Sequence, residues 1–225
     1  MTEESAETLG SGRMPERIRL HVEGQINAAV LKPGQPIDER ALAEQFGTSR
    51  TPVREALLVL QDRGLVDIVP RSGIQVHRPT AEELVAMMEA LGELEGVLAR
   101  LAALRADDVQ RHELAQALAT TADCADRKDS AAYESANAVL HAVIYRASAN
   151  PFIVEQAQRV RLRIAAYRGR LFEKPGRLKA SQQEHVQVVE AILAGDAVAA
   201  AEAMRDHISA GGRLFADLVL RSGVR

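Results

Sequence analysis

Apolar residues recur at intervals of three and four through the first part of the chain. Between residues 16 and 30 this spacing forms one apolar stripe along a helix and leaves most other positions polar. The stripe consists of Ile18, Val22, Ile26, Ala29 and Val30. Proline and glycine in the stretch KPGQP, residues 32–36, end the pattern. We therefore predict a first helix that ends before residue 32.

Two shorter helices are predicted next. A helix over residues 39–46 would begin after Asp38, whose carboxylate suits an N-cap, and would end at Gly47. Another helix would begin after Ser49 and end near Gly64. Its buried face would be formed by Val53, Ala56, Leu57 and Leu60.

Two β-prone runs follow these helices. They are LVDIV at residues 65–69 and IQVH at residues 74–77, and the turn sequence PRSG separates them. This pattern predicts a two-stranded hairpin with Arg71 at its tip. Three helices and a hairpin within residues 13–78 are typical of a winged helix-turn-helix domain. In such a domain the third helix enters the major groove of DNA.

The tripeptide RPT at residues 78–80 marks the end of this segment. Thr80 and Glu83 then form a capping-box pattern before a long apolar-periodic stretch. From there on we find no strand pattern. Five breaks divide the remainder into six helices, and they lie near residues 106–108, 128–130, 150–151, 174–176 and 195–196. Ser181 and Glu184 form a second possible capping box.

The composition agrees with a mainly α fold. Of the 225 residues 47% are hydrophobic and only 3% are aromatic, and Ala and Leu are abundant. We predict a disordered lead-in at residues 1–12 and a winged helix-turn-helix domain at 13–78. An all-α bundle of six to seven helices would follow at 79–225.

The chain carries features of a cytoplasmic protein. No apolar run approaches the roughly 20 residues that span a bilayer, so we expect no membrane partner. The first residues, MTEESAETLGSG, are acidic and polar, unlike a secretory signal. Cys124 is the only cysteine, which excludes an intrachain disulfide.

Two arginines stand out in the stretch SRTPVREAL. Arg50 and Arg54 are one turn apart at the start of the third predicted helix, on the side opposite its apolar face. Residues 13–78 hold ten Arg and Lys against eight Asp and Glu, so a few well-placed arginines would have to attract DNA. A surface role remains open, in which Arg54 pairs with a neighbouring acid. The surrounding helix-turn-helix pattern favours DNA contact.

The segment LAEQFGTSRTPVREALLVLQDRGLVDIVPRSGIQV, residues 42–76, resembles the DNA-binding domain of the GntR family of bacterial transcriptional regulators. Members of that family bind palindromic operators as homodimers. The resemblance implies that the DNA contacts are made by Arg40, Arg50, Thr51, Arg54, Arg71, Ser72 and Gly73.

Three histidines lie on three different helices of the predicted bundle. His141, His185 and His207 each interrupt an otherwise apolar stripe, which predicts that they face the interior. Asn137 is one turn before His141 and would share its face. Facing helices of bundles often build metal sites in this way. Core histidines that are hydrogen-bonded to carbonyl groups are the alternative.

The stretches 137–151, 181–196 and 200–208 resemble the FCD effector-binding domain of the FadR-type branch of the GntR family. In many FCD domains an acid or amide and three histidines hold a divalent metal at the bottom of the effector cavity. By position, the ligands here would be Asn137, His141, His185 and His207. Asn137 stands where relatives often have Asp, and its neutral oxygen should lower the metal affinity. The donor set suits zinc, nickel or manganese.

Effector contacts are harder to place. Many relatives carry an arginine early in the first helix of the FCD domain that grips an effector carboxylate, and here Leu91 occupies that position. Arg161, Arg163 and Tyr167 are the candidates for polar effector contacts instead. We expect a small organic acid as the effector.

Together these features predict a ligand-responsive transcriptional regulator, acting as a repressor on a palindromic operator, rather than an enzyme. The alternative is a metal-dependent helical-bundle enzyme with an accessory nucleic-acid module. H-E-x-x-H, G-x-S-x-G and phosphate-binding glycine-loop motifs are all missing from the sequence. Cys124 has no histidine near it in sequence that would activate a nucleophile.

Overall fold

The computed structural model describes residues 13–69, 73–168, 172 and 174–221, without the side chains of 166–168 and 213–221. The chain divides into two compact units, Met1–Pro79 and Thr80–Arg225. The predicted mainly α fold is confirmed in both units. The predicted lead-in at residues 1–12 lies outside the described residues.

The N-terminal unit consists of three helices and a small sheet. Its elements are α1 (Met14–Asn27), β1 (Pro36–Ile37), α2 (Glu39–Gln45), α3 (Arg50–Asp62), β2 (Val66–Val69) and β3 (Gly73–Val76). The order of helices and strands confirms the predicted winged helix-turn-helix fold.

The sheet has one more strand than the sequence pattern predicted. β2 and β3 form the expected antiparallel hairpin, with Val66 opposite Val76. β1 pairs with the other edge of β3, giving the strand order β1-β3-β2. Two residues are too few for an alternation pattern, and Pro36 argues against a strand in sequence. As the first residue of an edge strand, however, a proline is tolerated.

Local chemistry sets the ends of α2 and α3. The Asp38 carboxylate accepts hydrogen bonds from the backbone N–H groups of Arg40 and Ala41 at 2.8 and 3.1 Å, as an N-cap does. Ser49 occupies the N-cap position of α3, but its hydroxyl makes no capping hydrogen bond. Gly64 follows α3 with φ of +69°, a conformation that glycine adopts without strain.

The C-terminal unit is a bundle of six helices within the described range. They are α4 (Ala81–Arg105), α5 (Asp108–Asp126), α6 (Ser130–Ser148), α7 (Pro151–Arg168), α8 (Arg177–Leu193) and α9 (Ala197–Arg221). α4 lies at the centre, where it packs against α9, α6 and α7. The close approach of α4 to α9 depends on Gly96, because a Cβ there would lie 2.9 Å from Arg205 Cγ and 3.2 Å from the Ala201 carbonyl oxygen.

One of the two predicted capping boxes is present. Glu83 N–H donates to Thr80 Oγ1 at 3.1 Å, and Thr80 N–H donates to the Glu83 carboxylate at 2.7 Å, before α4. The box predicted at Ser181 is wrong. α8 already begins at Arg177, so Ser181 is buried inside the helix. Glu184 is thereby free of a capping role.

Candidate metal centre and candidate DNA-binding surface

The three histidines of the C-terminal unit converge on one point. His141 on α6, His185 on α8 and His207 on α9 each offer a ring nitrogen, and these nitrogens all lie within 4.8 Å of one another. All three side chains are buried. Asn137, one turn before His141 on α6, is buried as well. The structure therefore brings together residues that the sequence placed on three separate helices.

A buried carboxylate lies within hydrogen-bond distance of His141 Nδ1. This nitrogen lies 2.7 Å from Glu95 Oε2, and Glu95 on α4 is fully buried. Arg161 on α7 binds both oxygens of that carboxylate, with distances of 2.6 and 2.9 Å. Burial by itself would raise the pKa of Glu95, but Arg161 and His141 outweigh it and hold the pKa well below the usual value.

An ionised carboxylate only accepts hydrogen bonds, so His141 carries its proton on Nδ1 and donates it to Glu95. Arg161 Nη2 also lies 2.7 Å from His141 Nδ1. Because both nitrogens are donors, we assign both hydrogen bonds to Glu95 Oε2, on which they converge. This tautomer leaves His141 Nε2 with its lone pair available to a ligand.

His207 is held in the same way by a second carboxylate. Its Nδ1 lies 2.7 Å from Glu184 Oε2. Arg177, at the start of α8, binds both oxygens of Glu184 at 2.7 and 2.9 Å. Burial opposes ionisation of Glu184, but hydrogen bonds from His207 and Arg177 lower its pKa overall. His207 therefore also has its proton on Nδ1.

The third histidine has a hydroxyl partner. His185 Nδ1 lies 3.2 Å from the Tyr133 hydroxyl, within a buried contact between α6 and α8. Burial raises the pKa of Tyr133 to about 12, so the hydroxyl stays neutral. A partner on Nδ1 fixes the ring orientation of each histidine, as is usual for metal ligands.

Three buried polar atoms of these residues have no hydrogen-bond partner among the described residues. They are Asn137 Oδ1, His141 Nε2 and His185 Nε2. Unpaired buried polar atoms are costly and rare in folded proteins. All three belong to the converging histidines or to Asn137, one turn before His141 on α6, which indicates that something absent from the polypeptide satisfies them. An amide oxygen and imidazole nitrogens are suitable ligands for a divalent metal ion, so the residues fit the group that the sequence predicted.

The charge state of the histidines agrees with metal binding. Burial and the neighbouring Arg161 lower the pKa of His141 to about 3. Burial also lowers the pKa of His185, with a contribution from His207, and that of His207 itself. All three rings are consequently neutral near pH 7, which is the form that binds a metal.

Of the three residues predicted to contact the effector, only Arg161 is shown beside the histidines. Arg161 lies beside His141 and is engaged by Glu95. Arg163 is exposed on α7. The side chain of Tyr167 lies outside the described residues. Leu91 is buried on α4.

Sequence reasoning missed the groups that bind the histidines, which are Glu95, Glu184 and the Tyr133 hydroxyl. It also missed the pairing of Arg161 with Glu95 and of Arg177 with Glu184. For Glu95 a signal was present. It falls on the apolar face of α4, between Leu91 and Leu98, where an acid requires a partner. Glu184 was instead interpreted as part of a capping box.

The candidate DNA-binding surface lies at the start of α3. Arg50 is the first residue of that helix, Thr51 follows it and Arg54 is one turn further on, and all three are exposed. The apolar face of α3, including Val53 and Leu57, is buried on the other side. The first backbone N–H groups of the helix and its positive dipole end lie beside Arg50, which favours an anionic partner such as phosphate.

Two of the predicted DNA contacts are ion-paired. Arg54 Nε lies 3.0 Å from Glu39 Oε2, and Arg40 Nε lies 2.9 Å from Glu44 Oε1. The arginine side chains are nevertheless 65% and 75% exposed. Exposed pairs contribute only about 0–1 kcal/mol, so phosphate or base contacts can replace them.

The structure describes only part of the hairpin tip. Arg71 and Ser72 lie outside the described residues, and Gly73 opens β3 with φ of +91°.

In the part of the chain that the structure describes, no helix is both long and apolar enough to cross a membrane.

Comparison with known proteins places both units in characterised families. Residues 14–76 match the family described as bacterial regulatory proteins, gntR family, and residues 86–210 match the FCD domain. A probable D-xylose utilization operon transcriptional repressor of Paenarthrobacter nicotinovorans is 26% identical over 196 residues, which is 86% of this chain and 85% of that protein. The transcriptional regulator McbR of Escherichia coli is 28% identical over 192 residues, covering 82% and 85%.

The solved structure of Escherichia coli McbR has a similar fold. It aligns with a TM-score of 0.78 at 22% identity, over 92% of this chain and 99% of the McbR chain. The two family matches together cover more than half of the chain, and both belong to regulators rather than enzymes. The chain therefore belongs to the GntR family of bacterial transcriptional regulators, with an N-terminal DNA-binding domain and a C-terminal FCD domain.

Proposed function

We propose that this regulator is a cytoplasmic repressor that binds a palindromic operator as a homodimer. Its affinity for DNA is controlled by a small organic acid, bound beside a divalent metal ion in the C-terminal unit. Relatives named as repressors, from Paenarthrobacter nicotinovorans and Cronobacter sakazakii, support the sign of regulation. A reporter gene behind the operator should be expressed more strongly when the gene for this protein is deleted.

The metal site rests on one observation above all. Asn137 Oδ1, His141 Nε2 and His185 Nε2 are buried without a hydrogen-bond partner among the described residues, and the three histidines offer ring nitrogens within 4.8 Å of one another. We propose that these atoms and a ring nitrogen of His207 hold the ion, which is zinc, nickel or manganese. When bound, the ion supplies a positive charge that holds an anionic effector. Glu95 and Glu184 fix the ligand rings, and the surrounding apolar residues exclude water.

Metal titration of the purified, chelator-treated protein tests this site. Zinc and nickel should each bind with a stoichiometry of one per chain, measured by calorimetry. His185→Ala should abolish that binding, because it removes one of three imidazoles. His112→Ala is the matched control, since His112 is exposed on α5. Equal metal binding by His185→Ala and the parent would end the proposal for this site.

The DNA contacts are proposed to be Arg40, Arg50, Thr51 and Arg54, together with Arg71, Ser72 and Gly73 of the hairpin. Exposure of the α3 arginines beside the helix N-terminus supports this set. A selection of genomic fragments that bind the protein would yield the operator. A twofold repeat within the selected fragments, and a dimer mass in solution, are the expected signs of a homodimer on a palindrome.

Substitution of the two α3 arginines, Arg50 and Arg54, then tests their contact with the selected operator. Arg50→Ala combined with Arg54→Ala should weaken binding by at least about tenfold, since each bidentate arginine–guanine contact contributes roughly 1–3 kcal/mol. Arg100→Ala removes an exposed arginine from α4 in the other unit and should bind as the parent does. Parent-like binding by the double variant would contradict the proposal.

Arg161, Arg163 and Tyr167 are proposed as effector contacts. Arg161 is the best supported, because its guanidinium lies next to His141. A thermal-shift screen of small carboxylates, with and without chelator, would identify the acid. An operator affinity that no carboxylate or metal changes would contradict ligand control.

A further inference from the structure

One exposed arginine of the candidate DNA-binding surface is held by an acid from a different helix. Arg54 Nε on α3 lies 3.0 Å from Glu39 Oε2, and Glu39 is the first residue of α2. The other ion pair on this surface joins Arg40 to Glu44 within α2. Of the two pairs, the one at Arg54 therefore depends on how α2 and α3 pack against each other.

The two partners of this pair differ in exposure. The Arg54 side chain is 65% exposed, whereas that of Glu39 is only 23% exposed. The first turn of a helix favours a negative charge, because the positive end of the helix dipole lies there, so α2 stabilises the carboxylate in this place. Glu39 is thus largely covered, while the guanidinium of Arg54 remains accessible to a ligand.

The pair engages only one edge of the guanidinium. Its hydrogen bond uses Nε, and among the described residues the two terminal nitrogens of Arg54 have no hydrogen-bond partner. Because a guanidinium is planar and rigid, a bond at Nε restricts the plane in which the terminal N–H groups lie. Guanine accepts two parallel N–H groups at O6 and N7 in the major groove. A guanine can therefore be bound while the pair with Glu39 persists.

The charge of Glu39 acts in opposite ways on two kinds of DNA binding. A carboxylate beside an arginine reduces the attraction to phosphates, so it weakens binding to any sequence. An exposed ion pair also contributes little to folding stability. The benefit that such a pair can provide lies in base recognition, where the orientation of the guanidinium matters as well as its charge.

We propose that Glu39 is a positioning residue for DNA recognition, which orients Arg54 to contact one guanine in each half of the operator. The inference rests on the proposed DNA contacts and adds a source of sequence specificity to them. Glu39 improves discrimination between sequences while it lowers the affinity for all DNA. Proteins commonly gain specificity through a repulsive group in this way.

Selection from a library of randomised DNA duplexes measures the base preferences of the parent and its variants. The parent should select a guanine, at one position of each half-site, that Arg54→Ala no longer selects. Glu39→Gln removes the charge but keeps the size, and it should lower that guanine preference by about fivefold or more, the lower limit of what a bidentate arginine–guanine contact contributes. An unchanged preference in Glu39→Gln would overturn the inference.

Glu55→Gln is the matched control. Glu55 follows Arg54 on α3, is exposed, and forms no ion pair with any described residue. The variant loses the same charge beside the same arginine, so it should bind all duplexes more tightly and keep the guanine preference. An equal loss of preference in Glu55→Gln and Glu39→Gln would show an effect of charge alone and would overturn the positioning role.

A double-variant comparison asks whether Glu39 acts through Arg54. In an Arg54→Ala background, Glu39→Gln should no longer change any base preference, because the group that it orients is missing. A further change in that background would contradict the inference. Glu39→Asp keeps the charge on a shorter side chain and should also weaken the guanine preference, and this variant decides the matter if Glu39→Gln does not fold.

The two proposals fail in different ways. If the combined Arg50→Ala and Arg54→Ala variant selects the same sequences as the parent, the DNA contacts on α3 are wrong and the inference falls with them. If Arg54→Ala loses a guanine that both Glu39 variants retain, the DNA contacts stand and the inference alone is wrong.

Discussion

His207 donates its Nδ1 proton to Glu184 Oε2 across the interface of α9 and α8, at a distance of 2.7 Å. This contact fixes the ring and leaves the lone pair of Nε2 available to a ligand. His141 and Glu95 repeat the same arrangement between α6 and α4. The site is therefore supported by two carboxylates that come from different helices.

Glu184→Gln should weaken metal binding by about 10- to 100-fold, the usual effect of losing a carboxylate partner of a ligating histidine. The amide is nearly the same size, but it carries no charge and its orientation is free to invert. Competition against a fluorescent zinc chelator measures the change. Glu190→Gln, on the exposed side of the same helix, should leave the affinity unaltered. If the two variants bind zinc equally, Glu184 does not support the site.

The metal-free protein should lose stability as the pH falls below about 6.5. The pKa of His141 is 6.5 in the unfolded chain and about 3 in the folded one, and the pKa values of His185 and His207 are also lowered by folding. Between these limits the unfolded state binds more protons, so acid favours it. Each such histidine contributes up to about 1.4 kcal/mol per pH unit.

Urea unfolding of chelator-treated protein at pH 7.5 and pH 5 measures this slope. The range stays above the pKa values of Glu95 and Glu184, whose lowered values would add a further loss only in stronger acid. His185→Gln removes one titrating ring and should reduce the slope. A free energy of unfolding that is unchanged between the two pH values would show that the rings bind protons as readily in the folded state as in the unfolded state.

Gly96→Ala should destabilise the C-terminal unit by about 1–3 kcal/mol, the usual cost of overpacking. The new methyl group would lie 3.2 Å from the Ala201 carbonyl oxygen, where α4 and α9 meet. Gly24→Ala is the contrasting change, because its Cβ would meet nothing within 4 Å inside α1. It should stabilise the N-terminal unit by about 0.5–1 kcal/mol. Thermal unfolding of both variants checks that Gly96→Ala lowers the unfolding midpoint of its unit and that Gly24→Ala raises that of the other.

Zinc and nickel should raise the thermal midpoint of the C-terminal unit more than manganese does at equal concentration. The donor set has three imidazoles and no anionic ligand, which favours the later first-row ions. A ligand at 100 times its dissociation constant stabilises a fold by about 2.7 kcal/mol. A larger shift with manganese than with zinc would indicate that oxygen ligands dominate the site.

Much of the fold could be predicted because its signals are local. The Thr80–Glu83 capping box and the Asp38 N-cap each involve residues within one turn, so their pattern is visible in the sequence. The six helices of the bundle followed from apolar periodicity and from breaks at proline, glycine and polar clusters. β1 was missed because its pairing with β3 is non-local and its own sequence is too short to show a pattern.

The candidate ligands could also be predicted, but their partners could not. Each histidine interrupts an apolar stripe on its own helix, and this predicts an inward position for each ring. Glu95 lies 46 residues before His141 in the chain, and no local pattern connects the two. The Ser181 and Glu184 pattern was misleading, because α8 begins one turn earlier than a capping box there would require.

By itself, the sequence determined the two domains, the six helices of the bundle and the residue types that face inward, since periodicity and capping act over a few residues. Tertiary structure decided which inward-facing residues meet. It placed Glu95 with Arg161 and Glu184 with Arg177, and it left Asn137 Oδ1, His141 Nε2 and His185 Nε2 unpaired. The physical reason is that hydrogen bonds and charge compensation depend on distances between helices, which only their packing sets.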